Sequence, residues 1–204
     1  MKLGIYGGTF SPIHMGHIRA AEDFLENFGL DRLLIMPTAL PPHKAEVAGA
    51  SAHDRFEMAR LAFCGHDRIE VSDFEITRGG KSYTVCTLEH FKPGNELYML
   101  VGTDMFLTLD EWFRAPDIFA LADIVLKRRE DDIQLGAQIA ENTDEYKTRF
   151  GARIHIMSEA AIRISSTAVR EMLRSGRQVD GCIPESVVDY IKKNNLYSQK
   201  EEKI

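Results

Sequence analysis

Leu3 to His17 reads LGIYGGTFSPIHMGH, and the succession of residue types in this stretch decides the fold class. Leu3 to Tyr6 is short and apolar and runs into Gly7-Gly8, the pattern of a buried first strand meeting a turn. Gly7 and Gly8 let the backbone turn tightly and approach a ligand with no Cβ in the way. Thr9 offers a hydroxyl, and Pro12 stiffens the loop. From Met15 to Phe28 the apolar residues Ile18, Ala21, Phe24, Leu25 and Phe28 recur at helical spacing, and Gly29 supplies the stop.

The alternation continues down the chain. Leu33–Met36 reads as a strand entering a Pro-rich loop from Pro37 to Lys44, followed by a helix at Asp54–Phe63. Short strands are expected at Ile69–Val71 and Phe74–Thr77, then a helix at Tyr83–Phe91. The next strand, Leu97–Val101, ends at Gly102-Thr103-Asp104. A short helix at Pro116–Leu121 leads to a strand at Ile124–Leu126 that ends at Lys127-Arg128-Arg129. A helix over Asp131–Phe150, a last strand at Ile154–Ile156 and helices at Ser166–Arg174 and Pro184–Asn194 close the chain. Strands alternating with helices predict an α/β fold, a doubly wound, mostly parallel sheet with helices on both faces. A single domain over 1–197 is expected, with a small C-terminal helical part from about 158 and a frayed tail over 198–204. In such sheets ligands sit beyond the carboxyl ends of the strands, so the chemistry belongs on the rim marked by Gly7-Gly8, His43-Lys44, Gly102–Asp104 and Lys127–Arg129.

Composition narrows the class. The 204 residues are 44% hydrophobic and 27% charged, with a formal net charge of −6. A chain of this length buries a core without staples. Its acidic balance allows local phosphate binding but no broad nucleic-acid footprint. Cys64, Cys86 and Cys182 form neither a disulfide framework nor a zinc ribbon. They read as reduced thiols of a cytoplasmic protein. Met1-Lys2 runs straight into the first strand with no secretory pattern, and no apolar run reaches the ~18 residues of a membrane span.

His14 and His17, three apart at a helix start, can face one side. The helix N-terminus adds unpaired N–H groups and the positive end of its dipole, which together make a phosphate site. Two imidazoles there can donate to oxygens gaining charge in a transition state, and no third ligand at useful spacing suggests a metal site. In Pro41-Pro42-His43-Lys44 two prolines fix a loop from which Lys44 offers a point charge. Arg55 suits either a ligand or a structural salt bridge, and Ser82 or Thr84 could cap the helix at Tyr83–Phe91. Asp104, just past a strand end, can accept from ribose hydroxyls, and Trp112, the only tryptophan, offers a face for an electron-poor ring. Near the C-terminus, Ser165 or Ser166 begins a helix whose Arg170 lies one turn on, so hydroxyls, N–H groups and a guanidinium can converge on one anion.

GGTFSPIHMGH resembles the signature of the HxGH nucleotidyltransferases. With PPHK, SYTxxTL, GTD…W and ISSTAVR, the chain from Gly4 to Tyr197 is most similar to the bacterial nicotinate-nucleotide adenylyltransferase family. The resemblance implies a Rossmann-like sheet and adenylyl transfer from ATP, with Mg²⁺, to nicotinate mononucleotide. It implies His14 at the reacting α-phosphate, His17 at the ATP phosphates, and ISSTAVR (Ile164, Ser165, Ser166, Arg170) gripping the β- and γ-phosphates. Gly7, Gly8, Thr9, Phe10, Gly102 and Asp104 complete the ATP side. Lys44, Thr84, Trp112, Phe113 and Arg129 would face the acceptor, and His14, His17, Lys44 and Arg170 would share the charge of catalysis. Two departures stand out: Ser11 replaces the family's usual Asp or Asn, and Arg129-Glu130-Asp131 replaces its usual RPG.

The expected reaction is in-line attack of the acceptor 5′-phosphate on the ATP α-phosphorus, which needs no side-chain nucleophile. The same chemistry on nicotinamide mononucleotide, or a nucleotide-binding sensor without catalysis, are the alternatives. Phosphopantetheine fits the motif series less well. A class I tRNA synthetase fragment would need a KMSKS-like loop that this chain lacks. Neither nucleic acid nor membrane is an expected partner, and the oligomeric state stays open, a homodimer among the options.

Overall fold

The computed structural model describes residues 1–40, 49–128, 135–157 and 164–198. Strand β1 (Lys2–Gly8) leads through α1 (Met15–Asn27) to β2 (Arg32–Pro37), and α2 (Ala52–Ala62) leads to β3 (Ile69–Val71). Helices α3 (Phe74–Arg78) and α4 (Thr84–Phe91) return the chain to β4 (Glu96–Gly102). Then come α5 (Thr103–Phe106), α6 (Ala115–Leu121), β5 (Ala122–Lys127), α7 (Gly136–Phe150), β6 (Ile154–Met157), α8 (Ser166–Arg174) and α9 (Glu185–Lys193).

The strands form one six-stranded sheet in the order β3-β2-β1-β4-β5-β6, with every neighbouring pair parallel. The doubly wound fold is therefore as expected. Strand order reverses between β1 and β4, and that switch point opens the crevice where such sheets take ligands. β1 ends there at Gly8, opposite Pro37, and β4 ends at Gly102, opposite Lys127.

Alternating side chains cover both faces. Leu33, Ile35, Tyr98, Leu100 and Val125 pack with buried residues of α1, α2, α8 and α9. Leu3, Ile5, Leu34, Met36, Leu97, Met99 and Val101 pack on the other face with residues of α4, α6 and α7. Close approach of α1 requires Gly4, where a Cβ would come within 2.6 Å of the Leu30 side chain and 3.0 Å of Phe24. The three cysteines are free thiols, and no described helix is long and apolar enough to cross a membrane.

Most elements match their expected places to within a few residues. Phe74–Thr77 does not: it is a helix rather than a strand. The Asp73 carbonyl accepts the Thr77 N–H at 2.8 Å, and the Asp73 carboxylate accepts the Thr77 hydroxyl at 3.1 Å. Over so few residues, alternation cannot separate a strand from a helical turn, and the Ser72-Asp73 start decided it. The helix expected from Asp131 runs from Gly136; residues 131–134 lie outside the described set.

On α3, Glu75 is 5% exposed. Its Oε1 accepts the Thr87 hydroxyl at 2.8 Å, while Oε2 is buried without a partner. Burial outweighs the Ser82 and Thr87 hydroxyls and pushes the carboxyl above its ordinary range. The folded state therefore holds this proton more tightly than the unfolded chain. Its contribution is present below the unfolded value and is lost as pH rises through the folded one. Glu75→Gln is expected to remove that decline, so the variant gains stability over the parent as pH rises. Urea unfolding across pH checks this, and parallel profiles would contradict it.

Candidate active site

β1 delivers the chain to the rim, and the loop that follows is built differently from what its glycines suggest. Neither Gly7 nor Gly8 makes the turn; both complete β1. The reversal falls at Phe10, a non-glycine residue at φ 47°. Phe10 can occupy this left-handed region because its ring is packed, 5.4 Å from Tyr6 and 5.1 Å from His17 between centroids. Gly8 matters for another reason: a Cβ there would stand 2.8 Å from the Phe10 ring. Open space at Gly7, with nothing within 4 Å of a notional Cβ, does suit close approach of a ligand.

His14 caps α1 in extended conformation, and the two histidines do face one side. Their rings stack at 3.6 Å with an interplanar angle of 19°. The His14 N–H donates to His17 Nδ1 at 3.3 Å. An accepting Nδ1 places the proton of the neutral ring on Nε2, the nitrogen left to donate.

From the far end of the chain, α8 closes on this loop. The hydroxyl of Ser165 caps α8 by accepting the Ala168 N–H at 3.1 Å. Ser166 donates to the Pro12 carbonyl at 3.0 Å. Arg170 donates through Nη1 to the Ser11 carbonyl at 2.6 Å and through Nη2 to the Thr167 hydroxyl at 3.1 Å. ISSTAVR and GGTFSPIHMGH are thus one site, although about 150 residues separate them. Ile164 begins the described segment that leads into α8.

Gly102 and Asp104 sit across the switch point, at the end of β4 and in the first turn of α5. Thr84 opens α4, but neither it nor Ser82 caps that helix; the capping position is Tyr83, with no side-chain bond. Ser82 has a different task, accepting the Ala39 N–H at 2.9 Å. Trp112 and Phe113 follow α5, and two contacts join their segment to Tyr83 and α4. The ring of Phe113, 54% exposed, lies 4.7 Å from that of Tyr83. Arg114 binds Glu89 of α4 at 2.7 Å and Asp117 of α6 at 2.6 Å.

Lys127 is committed to structure, 3.3 Å from Asp23 of α1 in an ion pair shared with Arg19. Arg128 reaches Gly136, with Nη2 3.2 Å from a notional Cβ. Lys44 and Arg129 lie outside the described residues.

Two further residues support the loop, and one of them, Arg55, is the residue expected to serve a ligand or a structural salt bridge. Arg55 is 1% exposed and makes no salt bridge among the described residues. Its Nη1 donates to the Thr9 carbonyl at 2.9 Å and its Nη2 to the Ala39 carbonyl at 3.1 Å, tying the loop after β1 to the one after β2. Desolvation lowers its pKa, yet a guanidinium stays charged. The other is Tyr197, whose hydroxyl lies 3.0 Å from Ser11 Oγ. No local motif announces either pairing, because each joins residues distant in sequence.

The cytidylyltransferase-like family profile matches residues 5–172. A relative from Desulfatibacillum aliphaticivorans, described as a probable nicotinate-nucleotide adenylyltransferase, is 40% identical over 97% of this chain and 100% of its own length. One of the same description from Pelobacter propionicus is 36% identical over 98% of this chain and 99% of its own. Among solved structures, a Plasmodium falciparum nicotinic acid mononucleotide adenylyltransferase complexed with NaAD superposes with a TM-score of 0.77. That match is at 18% identity and covers 96% of this chain and 97% of that one, a likeness of fold.

Arg55→Met would leave two loop carbonyls without their donors. We expect a loss of roughly 2 kcal/mol or more in urea unfolding, from about 1–3 kcal/mol for each buried group left unsatisfied. A variant as stable as the parent would show that the two bonds do not brace the loops.

Proposed function

The chain belongs to the nicotinate-nucleotide adenylyltransferases, within the cytidylyltransferase-like family, and from that membership we propose that it transfers the adenylyl group of ATP to nicotinate mononucleotide. The products are deamido-NAD and pyrophosphate. One observation carries the reading to this site: the stacked histidines at the start of α1 and Arg170 of α8 are joined through a single loop at the β1/β4 switch point.

In this reading an oxygen of the acceptor 5′-phosphate attacks the α-phosphorus of ATP. A new P–O bond forms as the bond to the β-phosphate oxygen breaks, and pyrophosphate leaves with the electron pair. The attacking oxygen is already anionic, so the protein's work is alignment and charge stabilisation. His14 donates to the α-phosphate and His17, through Nε2–H, to the ATP phosphates. The α8 N-terminus, with Ser165, Ser166 and Arg170, holds the β- and γ-phosphates. Nη2 of Arg170 can exchange its Thr167 hydroxyl for a phosphate oxygen while Nη1 stays on the Ser11 carbonyl. Gly102 and Asp104 face the adenosine ribose. Thr84 and the Phe113 backbone N–H meet the pyridine carboxylate, and Trp112 stacks on its ring.

No group of three or more His, Cys, Asp or Glu among the described residues is placed to hold a metal ion. Mg²⁺ would instead arrive on the ATP phosphates with its remaining positions filled by water, as this ion commonly does. Bound in this way, Mg²⁺ supplies charge neutralisation. Three free thiols are consistent with a reducing, cytoplasmic setting.

Pyrophosphate release measured with nicotinate mononucleotide and nicotinamide mononucleotide side by side tests the acceptor. Preference for the acid is expected; preference for the amide would overturn the substrate. His14→Ala is expected to lower kcat by roughly 10²-fold or more, the scale of removing one transition-state donor. Turnover within a few-fold of the parent would remove His14 from its role.

A further inference from the structure

Tyr197 stands outside every residue given a substrate above, yet it reaches the loop that carries them. It follows α9 near the C-terminal end and is 2% exposed. Its backbone sits at φ 59°, a left-handed conformation that a bulky residue keeps only where its surroundings hold it. Two contacts do so. The Tyr197 N–H donates to the Gly49 carbonyl at 3.4 Å, and its ring packs so closely that a Cβ on Gly49 would fall 2.6 Å from it. At the other end of the ring the hydroxyl meets Ser11 Oγ at 3.0 Å, both residues buried. Either oxygen can be the donor. Ser11 thus has its side chain on Tyr197 and its carbonyl on Arg170, three residues before His14.

We propose that Tyr197 is a positioning residue for adenylyl transfer: its hydroxyl fixes Ser11, and through Ser11 the path of the loop that aims His14 and His17. The proposal rests on the adenylyl-transfer reading of this site. Burial raises the phenol to about 12, against the opposing effects of Ser11, Arg170 and Arg55. The group therefore stays protonated and able to hydrogen-bond at neutral pH.

The pair separates positioning from mere support. Tyr197→Phe keeps the ring and its packing on Gly49 and deletes only the hydroxyl. It is expected to lower kcat roughly tenfold, with KM for the acceptor within about twofold of the parent, since misalignment acts on the reacting geometry. Ser11→Ala should match it. Each single variant leaves one buried hydroxyl alone and should lower the melting temperature. The double variant leaves none, so its melting temperature should return towards the parent's. Its kcat should stay as low as in either single variant.

Parent-like kcat in Tyr197→Phe would overturn the proposal. So would a double variant in which kcat recovers along with thermal stability. If Tyr197→Phe does not fold, Ser11→Ala decides by the same criterion. A parent inactive towards nicotinate mononucleotide would strike the reading of the reaction instead. Hydrogen exchange then decides on the pair: amides from Phe10 to His14 other than Pro12 should exchange faster in Tyr197→Phe, and unchanged rates would overturn the assignment.

Discussion

Everything at this rim depends on how the carbonyls of the loop between β1 and α1 are satisfied. Carbonyls of a loop that are hidden from water need donors, and here the donors come from elsewhere in the chain. Thr9 receives Arg55 from α2, Ser11 receives Arg170 from α8, and Pro12 receives Ser166 from the start of α8. Met15, at the first turn of α1, gives its N–H to the Cys182 carbonyl at 2.8 Å. The loop is therefore assembled by tertiary structure rather than by its own propensities. Two of its donors are guanidinium groups, so the bonds that shape the loop also set positive charge beside the anion site. A chain of net charge −6 thus concentrates positive charge locally at this rim.

On the acceptor side the constraint is different. Thr84 and Trp112 belong to separate segments, and what joins those segments is the Tyr83–Phe113 ring contact and the Arg114–Glu89 ion pair. Two separate sets of polar bonds flank α4: Thr87 to Glu75, and Ser82 to Ala39, whose carbonyl receives Arg55. Directional bonds of this kind hold the segments in place more specifically than apolar contacts would, because each has a length and a direction.

How much of this the sequence made legible follows from range. Period and punctuation placed the strands and most helices, because buried parallel strands are short apolar runs ended by Gly or charge. Phe74–Thr77 failed because its turn is set by Ser72 and Asp73 rather than by the apolar residues. The pairing of His14 with His17 was legible from spacing. That of Arg170 with the loop was visible only as two anion-binding motifs, and their contact is a fact of the fold. Gly7-Gly8 announced a turn that belongs to Phe10, since a sequence shows which residues can take a left-handed conformation and not which one must. Glu75 and Tyr197 gave no signal of their own, and Arg55 was legible only as a ligand or salt-bridge candidate, because a buried polar group is defined by its partners.

Ser11 is where the loop departs from the family pattern, and its surroundings make physical sense of the change. A carboxylate at this position would lie close to Arg170 and Arg55 and would draw on their charge. The serine hydroxyl is neutral and pairs instead with the neutral Tyr197 phenol. Arg55 and Arg170 are then held by neutral oxygens, the carbonyls of Thr9, Ala39 and Ser11 and the hydroxyl of Thr167. Hydrogen bonds to neutral oxygens orient a guanidinium without neutralising it. Ser11 thus leaves the charge of Arg55 and Arg170 unneutralised by the loop's own side chains.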